Sequence, residues 1–190
     1  MRVTFLTPAP TAATARGAFP ADEPLDARGL AWAEVARGRT VRVDRALRGP
    51  ETACGQTCAA LGVAAEVDPG LAGWDLGGWA GRCLDDVAAE RPDAVAAWLG
   101  HPAAAPHGGE SLDALLARTR AWLGGRETGH TLVVCGNAVV RAAVVVVLGA
   151  PASAFWRLDV GPLTRTDLRG GPTRWTVRVT AAPLRDNPDR

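Results

Sequence analysis

Residues 130–150 have the sequence HTLVVCGNAVVRAAVVVVLGA, and the hydrophobic pattern of this run changes at Gly136. The segment before the glycine, residues 130–135, is mostly apolar and of strand length, which predicts a buried β-strand. The segment after it is longer and rich in alanine, which favours a helix over a second strand. A buried strand followed at once by a helix is typical of a mainly parallel sheet covered on both faces.

Strands and helices alternate along the rest of the chain as well. Residues 2–6, RVTFL, favour a strand that ends before Pro8, since proline cannot donate to a β-ladder. Further along, helix signals such as an N-terminal Asp or Ser and a C-terminal Gly recur. We predict helices over 26–38, 49–62 and 111–125, a strand over 40–43, two helical pieces separated at Pro92, and a late hairpin with its turn at 169–173.

The predicted fold class is α/β, a three-layer α/β/α sandwich with a mainly parallel sheet. The chain has 190 residues and 47% hydrophobic content, which suits one domain over residues 1–190. The segment 68–108, rich in glycine and tryptophan near its start, is expected to form a cap or insert. In such sheets ligands bind beyond the carboxyl ends of the strands, here residues 7–11, 44–48 and 135–137.

The composition limits the choice of partners. The net charge is +1, and the 21 basic residues are spread along the sequence, so neither nucleic acid nor a membrane is indicated as a partner. The N-terminal segment is too short and too weakly apolar for a signal peptide, and a cytoplasmic location is expected. The four cysteines are expected to be reduced thiols. We expect no metal or cofactor. We expect a small-molecule ligand and a possible homodimer.

Five stretches together resemble the histidine phosphatase (phosphoglycerate mutase-like) superfamily, in the order that the family shows. The segment GWDLGGWAG at 73–81 also lies where the family has a loop with glycine and tryptophan. This resemblance covers most of the chain and implies a phosphoglycerate mutase-like fold. The five stretches are FLTPAPT at 5–11, PLDARGLAWA at 24–33, DRALRGPETA at 44–53, HGGESLDALLAR at 107–118 and VVCGNAVVRA at 133–142.

The resemblance also shows which catalytic groups this chain lacks. The family's first motif, Arg-His-Gly followed by any residue and Thr, matches residues 7–11, where the sequence is Thr-Pro-Ala-Pro-Thr. Its second histidine matches Gly136. Phosphoryl transfer through the protein needs a nucleophile in line with the phosphorus. With both matching histidines replaced, we predict a degenerate member that does not hydrolyse phosphate esters.

Two of the family's site residues remain at matching positions, Arg48 and Glu110. The resemblance implies that Arg48 holds an oxyanion and that Glu110 serves as a proton donor. A guanidinium beside a helix start suits a carboxylate or phosphate. The alternative is that Arg48 and Glu110 pair with one another as a structural ion bridge.

Further candidates lie around the same strand ends, and each has a structural alternative. Cys135 is a candidate catalytic thiol or a buried apolar residue. Asn137 points into the site or caps the following helix, and Arg141 supplies a second positive charge or contacts nearby loops. Thr7, Thr11 and His107 complete the predicted substrate-binding set, although His107 could instead be a solvated side chain. Trp74 and Trp79 are expected either to line a pocket or to belong to the core.

Three functions compete on this evidence. The first is an enzyme repurposed for a small polar or anionic metabolite, using acid/base chemistry by Glu110 in a biosynthetic pathway, as a lyase, isomerase, cyclase or hydrolase. The second is an inactive pseudophosphatase that serves as a binding or scaffold module. The third is a residual phosphatase that uses Cys135. Selective loss of the histidines beside retention of Arg48 and Glu110 favours the first.

Overall fold

A six-stranded mixed sheet forms the centre of the molecule. The computed structural model describes residues 1–40, 42–171 and 174–184. The strand order is β3-β2-β4-β1-β5-β6. Strands β1 to β4 are parallel to one another, and β5 runs antiparallel to both of its neighbours, β1 and β6. The strands are β1 Arg2–Leu6, β2 Arg45–Arg48, β3 Glu66–Val67, β4 His130–Val134, β5 Thr164–Gly171 and β6 Arg174–Pro183.

Seven α-helices are found in the described part of the chain, and most begin and end at the signals that the sequence carries. Asp26 and Ser111 each cap a helix by accepting from the backbone amide three residues on. Gly62 and Gly149 end helices in the left-handed conformation that glycine favours. The helices are α1 Ala12–Arg16, α2 Ala27–Val35, α3 Thr52–Leu61, α4 Leu84–Glu90, α5 Pro92–Gly100, α6 Leu112–Gly124 and α7 Asn137–Leu148.

Alternate residues of the central strands face opposite helical layers. Phe5 and Val133 are buried in a cluster with residues of α6 and α7. Leu6 and Val134, one position further along, are buried in a second cluster with residues of α2 and α3. This alternation follows from the two-residue period of a β-strand, and it confirms the predicted α/β sandwich and its mainly parallel sheet.

The parallel strands end in register, and that fixes where a site can form. Leu6 of β1 and Arg48 of β2 both pair with Val134 of β4. The segments that follow these three strands therefore leave the sheet at the same edge. This is the edge at which parallel α/β sheets bind ligands.

Residues 68–108, called the aromatic segment below, pack beside that edge around a third hydrophobic cluster. Two short 3-10 turns, α4 and α5 make up this segment. Its interior is largely aromatic, with Trp79 and Trp98 buried and Phe19, Trp74 and Trp156 packed against them. Ring centroids 4.6 Å apart for Trp98 and Trp156 join the segment to the residues before β5.

Two local features differ from the predictions, and a third agrees with them. The strand predicted over 40–43 is wrong in position, because the ladder forms at Arg45–Arg48 instead; Val41 itself lies outside the described residues. The segment after β1, where no helix was predicted, contains α1, whose start Thr11 caps through its hydroxyl. The late hairpin is confirmed by the pairing of β5 with β6, whereas Pro172 and Thr173 of its predicted turn lie outside the described residues.

Candidate functional site

A cavity of about 600 Å³ lies at the sheet edge where the parallel strands end. Its wall comes from the segment after β1, the loop before α2, the starts of α3 and α7, and the aromatic segment. No histidine stands among the described residues of this lining. Its polar and aromatic members are Thr7, Thr11, Thr14, Phe19, Asp22, Glu23, Glu51, Cys54, Trp74, Asp75, Trp98, Asn137, Arg141, Phe155 and Trp156.

The segment that follows β1 lines the cavity, but its hydroxyls are already bonded. The Thr7 hydroxyl donates to the carbonyl of Gly161 at 2.7 Å and accepts from the amide of Thr164 at 2.9 Å. The Thr11 hydroxyl donates to Glu23 Oε1 at 2.8 Å. Both threonines lie where we predicted a binding site. Their hydroxyls hold the wall in place, so a ligand would have to displace these bonds to use them.

The start of α7 brings Asn137 and Arg141 into the wall. No side chain caps this helix, whose N-cap residue is Gly136, so Asn137 does not act as the cap. The Arg141 guanidinium lies 5.8 Å from the centre of the Phe155 ring, and its buried Nε has no hydrogen-bond partner. Burial lowers the pKa of Arg141, and the nearby carboxylate of Asp159 opposes that shift.

Glu51 supplies a carboxylate to the cavity at the start of α3. One of its oxygens accepts from the Gly73 amide, which ties it to the aromatic segment. The other accepts from the Cys54 thiol at 3.6 Å. Burial raises the pKa of Cys54, and the neighbouring Cys135 and Glu51 raise it further. The thiol of this pair is therefore held in its protonated form.

Arg48 and Glu110, expected to share the site, do not line the cavity. Both oxygens of Glu110 accept from Arg118, at 2.6 and 3.0 Å. The Arg48 guanidinium instead lies against α3, where its Nη1 donates to the Gly49 carbonyl at 3.1 Å. The structure therefore does not bring these two residues together around the cavity, and they do not pair with one another. Arg118, eight residues after Glu110, was not foreseen as its partner.

Cys135 and His107 also lie outside the cavity lining. Cys135 is completely buried in the cluster with α6 and α7, and burial raises the pKa of its thiol. His107 is not solvated: it is 5% exposed, and its ring lies 5.2 Å from that of Trp79. Its Nδ1 accepts from the Gly109 amide. The structure thus places the side chains of Cys135 and His107 behind the wall and not in it.

The carboxylates and aromatic rings of the lining were largely missed by the sequence reasoning. Glu51 could have been found, because it follows Arg48 by three residues and begins a helix at a strand end. Of the two tryptophans predicted as wall or core, Trp74 lines the cavity, with its Nε1 donating to the carbonyl of Glu110, and Trp79 is buried core. The contribution of Trp98 and Trp156 carried no local signal, since it depends on how the aromatic segment folds back.

The chain belongs to the histidine phosphatase superfamily (branch 1), whose family profile it matches over residues 11–182. This confirms the family that the five stretches indicated. None of the curated proteins compared with the chain matches it. No helix in the described residues is long and apolar enough to cross a membrane.

Solved structures of phosphatases have the same fold. A mycobacterial glucosyl-3-phosphoglycerate phosphatase in complex with VO3 is 25% identical, over 95% of this chain and 98% of that chain, with a TM-score of 0.82. A putative alpha-ribazole-5'-P phosphatase from Escherichia coli str. K-12 substr. MG1655 is 23% identical, over 96% and 98%, with a TM-score of 0.83. The alpha-ribazole phosphatase from Shigella flexneri is 22% identical, over 98% and 100%, with a TM-score of 0.81.

Proposed function

We propose that this chain is a degenerate member of its family that binds a small organic molecule and acts on it by acid/base chemistry instead of phosphoryl transfer. The observation that carries the proposal is the lining of the cavity. In the part of the chain that the structure describes, this lining contains carboxylates, tryptophans and one guanidinium, and no histidine. A cavity of this size suits a small metabolite.

Phosphoryl transfer lacks its nucleophile at this site. The position expected to accept the phosphoryl group is Pro8, and Gly136 stands at the other histidine position. Cys135, the remaining candidate nucleophile, is completely buried behind the lining, and burial raises the pKa of its thiol. A thiol in that state is not a nucleophile.

Glu51 takes the acid/base role that was first expected of Glu110. Its carboxylate lies in the wall, held by the Gly73 amide and the Cys54 thiol. Fixed donors of this kind orient a general base toward its substrate. The biosynthetic context, the small-molecule partner and a homodimer remain predictions.

A test with two probes separates the reaction types. Purified protein should release no p-nitrophenolate from p-nitrophenyl phosphate. It should open the ring of 5-nitrobenzisoxazole: a base removes the C3 proton, the C–H electron pair forms the nitrile, and the N–O bond breaks to give 2-cyano-4-nitrophenolate. Glu51→Gln should lower that turnover by about 100-fold, the usual contribution of a positioned base. Glu66→Gln, which removes an exposed carboxylate on β3, should leave it unchanged.

The competing function is binding without chemistry. It is favoured by the fact that both Glu51 oxygens already accept hydrogen bonds. Equal turnover of 5-nitrobenzisoxazole by the protein and by Glu51→Gln would establish it in place of the acid/base role. If the protein hydrolyses p-nitrophenyl phosphate and Cys135→Ser does not, both of these functions are overturned and the phosphatase hypothesis is restored.

A further inference from the structure

The charge of the cavity wall is opposite to that of a phosphate site. Among the described residues, four carboxylates line it, from Asp22, Glu23, Glu51 and Asp75, against the one guanidinium of Arg141. The chain as a whole is nearly balanced, with 20 acidic and 21 basic residues. The excess of negative charge is therefore a local property of this cavity.

Three of the carboxylates are held together where the loop before α2 meets α3. Asp22 Oδ1 accepts from the Thr52 amide at 2.6 Å, next to Glu51 in the chain. Glu23 accepts from the Thr11 hydroxyl at 2.8 Å and from the Ala21 amide at 2.7 Å. Among the described residues, none of the four carboxylates forms an ion pair with an arginine. In this part of the chain no ion pair offsets their negative charge.

The guanidinium in the lining does not reverse this balance. Arg141 lies beside the Phe155 ring and has the Asp159 carboxylate as its electrostatic neighbour. The acidic side chains are also not arranged for a metal ion, because no three His, Cys, Asp or Glu side chains group to form such a site in the described part of the chain. An organic cation fits the charge better than an anion or a metal.

The remaining wall is aromatic and suits the body of such a cation. Trp74 and Trp98 stack with centroids 5.4 Å apart, and Trp156 lies 5.9 Å from Trp74. Trp74 and Trp156 are only half-buried, so part of each ring is free to be covered. Indole faces attract cations and pack against flat apolar groups.

We propose that the cavity selects a small organic cation, an amine or a related group joined to a flat apolar body, and discriminates against phosphates and carboxylates. This deepens the proposed function, on which it rests, by naming the class of ligand. A cleft lined by one sign of charge concentrates ligands of the other sign. The wall thus selects for a charge opposite to that of the phosphate esters named for the structural neighbours.

Three indole probes that differ in charge test this inference by isothermal titration calorimetry at low salt. They are tryptamine, a cation; tryptophol, which is uncharged; and indole-3-acetate, an anion. We expect tryptamine to bind about tenfold more tightly than indole-3-acetate, a difference of about 1.4 kcal/mol, with tryptophol between them. Added salt should reduce the preference.

Variants then assign the preference to the cavity. Glu51→Gln and Asp75→Asn should each reduce it by about threefold, and Glu66→Gln should leave it unchanged. Asp75 is exposed, so its variant covers the case in which Glu51→Gln fails to fold. Equal or tighter binding of indole-3-acetate, no binding of any probe, or a preference untouched by both cavity variants would overturn the inference.

The same measurements separate this inference from the proposed function. Binding is measured without turnover. If the unchanged protein prefers the cation but does not open 5-nitrobenzisoxazole, only the acid/base role is overturned. Loss of the preference with turnover intact overturns only the ligand class.

Discussion

At the scale of the residue, Glu110 shows that one neighbouring side chain, that of Arg118, can give a carboxylate a structural role. Its carboxylate is 16% exposed and is held by Arg118 through two hydrogen bonds. Arg118 also donates to the carbonyls of Gly70 and Gly73. The pair therefore fastens the segment that begins the aromatic cluster to α6, which is a structural task.

Glu110→Gln tests this task. The amide keeps the size of the side chain and loses the charge that pairs with Arg118, so the free energy of unfolding should fall by about 1.5–3 kcal/mol, the range for hydrogen bonds to charged groups. Urea denaturation followed by circular dichroism measures it. Asp113→Asn, an exposed change in the first turn of the same helix, should cost less than about 1 kcal/mol. Equal losses in the two variants would contradict the clamp.

Thiol reactivity is a second residue-scale property that the structure decides. Cys54, Cys58 and Cys135 are buried, whereas Cys83 is half-buried. Burial raises the pKa of Cys58 to about 11 and also raises that of Cys135. Since the thiolate is the reactive form, iodoacetamide should label Cys83 first in the folded protein.

Mass spectrometry of peptides from a labelling time course checks this order. Cys135 should be labelled only at the rate of global unfolding, and mild urea should speed its labelling more than that of Cys83. Rapid labelling of Cys135 in native buffer would show that it reaches solvent and would reopen its catalytic role.

At the scale of the element, caps and hydrophobic periods predicted the helices well. Ser111 and Asp26 carry their signals within three residues, because a cap bonds to the amides of its own first turn. The start of β2 was placed too early, because a strand edge depends on the neighbouring strand as well as on local propensity. The capping of α1 by Thr11 was missed, because two prolines nearby dominate the local pattern.

The contact of α2 with the segment after β1 gives an element-scale prediction. Gly29 lies in the first turn of α2, and a Cβ there would collide with the carbonyl of Pro10. Alanine normally stabilises a helix relative to glycine. Here the clash with fixed backbone should reverse the sign, and Gly29→Ala should destabilise the protein by about 1–3 kcal/mol.

The matched control is Gly124→Ala at the end of α6, where an added Cβ meets nothing within 4 Å. That change should leave the free energy of unfolding unchanged or raise it by up to about 1 kcal/mol. Thermal and urea unfolding of the two variants compare them directly. A Gly29→Ala protein as stable as Gly124→Ala would show that α2 can move away from Pro10.

At the scale of the whole molecule, the fold was predictable and the wall of the cavity was not. Order and spacing of motifs fixed the sheet edge, because Leu6, Arg48 and Val134 end in register. The side chains that face the cavity depend on long-range packing. Glu110 turns to Arg118 and Arg48 to α3, and neither choice is visible in a local pattern. Retained motif residues therefore do not establish a retained site.

The pH dependence of stability is also a property of the whole fold. Burial lowers the pKa of His107, and burial together with Arg2 lowers that of His130. A base whose pKa is lower in the folded state contributes stability that is complete above its unfolded pKa, about 6.5. That stability is lost as the pH falls through the folded pKa. The urea midpoint should therefore be level from pH 8 to about 7 and decline toward pH 5.

Variants assign this decline to the buried histidines. In His107→Asn the amide oxygen can still accept from the Gly109 amide, as Nδ1 does in the histidine, but it takes up no proton, so the slope between pH 7 and 5 should become shallower. His101 is exposed, and His101→Asn should leave the slope as it is. Urea midpoints at intervals across this range measure both. A slope that stays the same in His107→Asn would mean that protonation of His107 does not lower the stability of the fold. The decline would then have to come from His130, which lies beside Thr4 and Asp167.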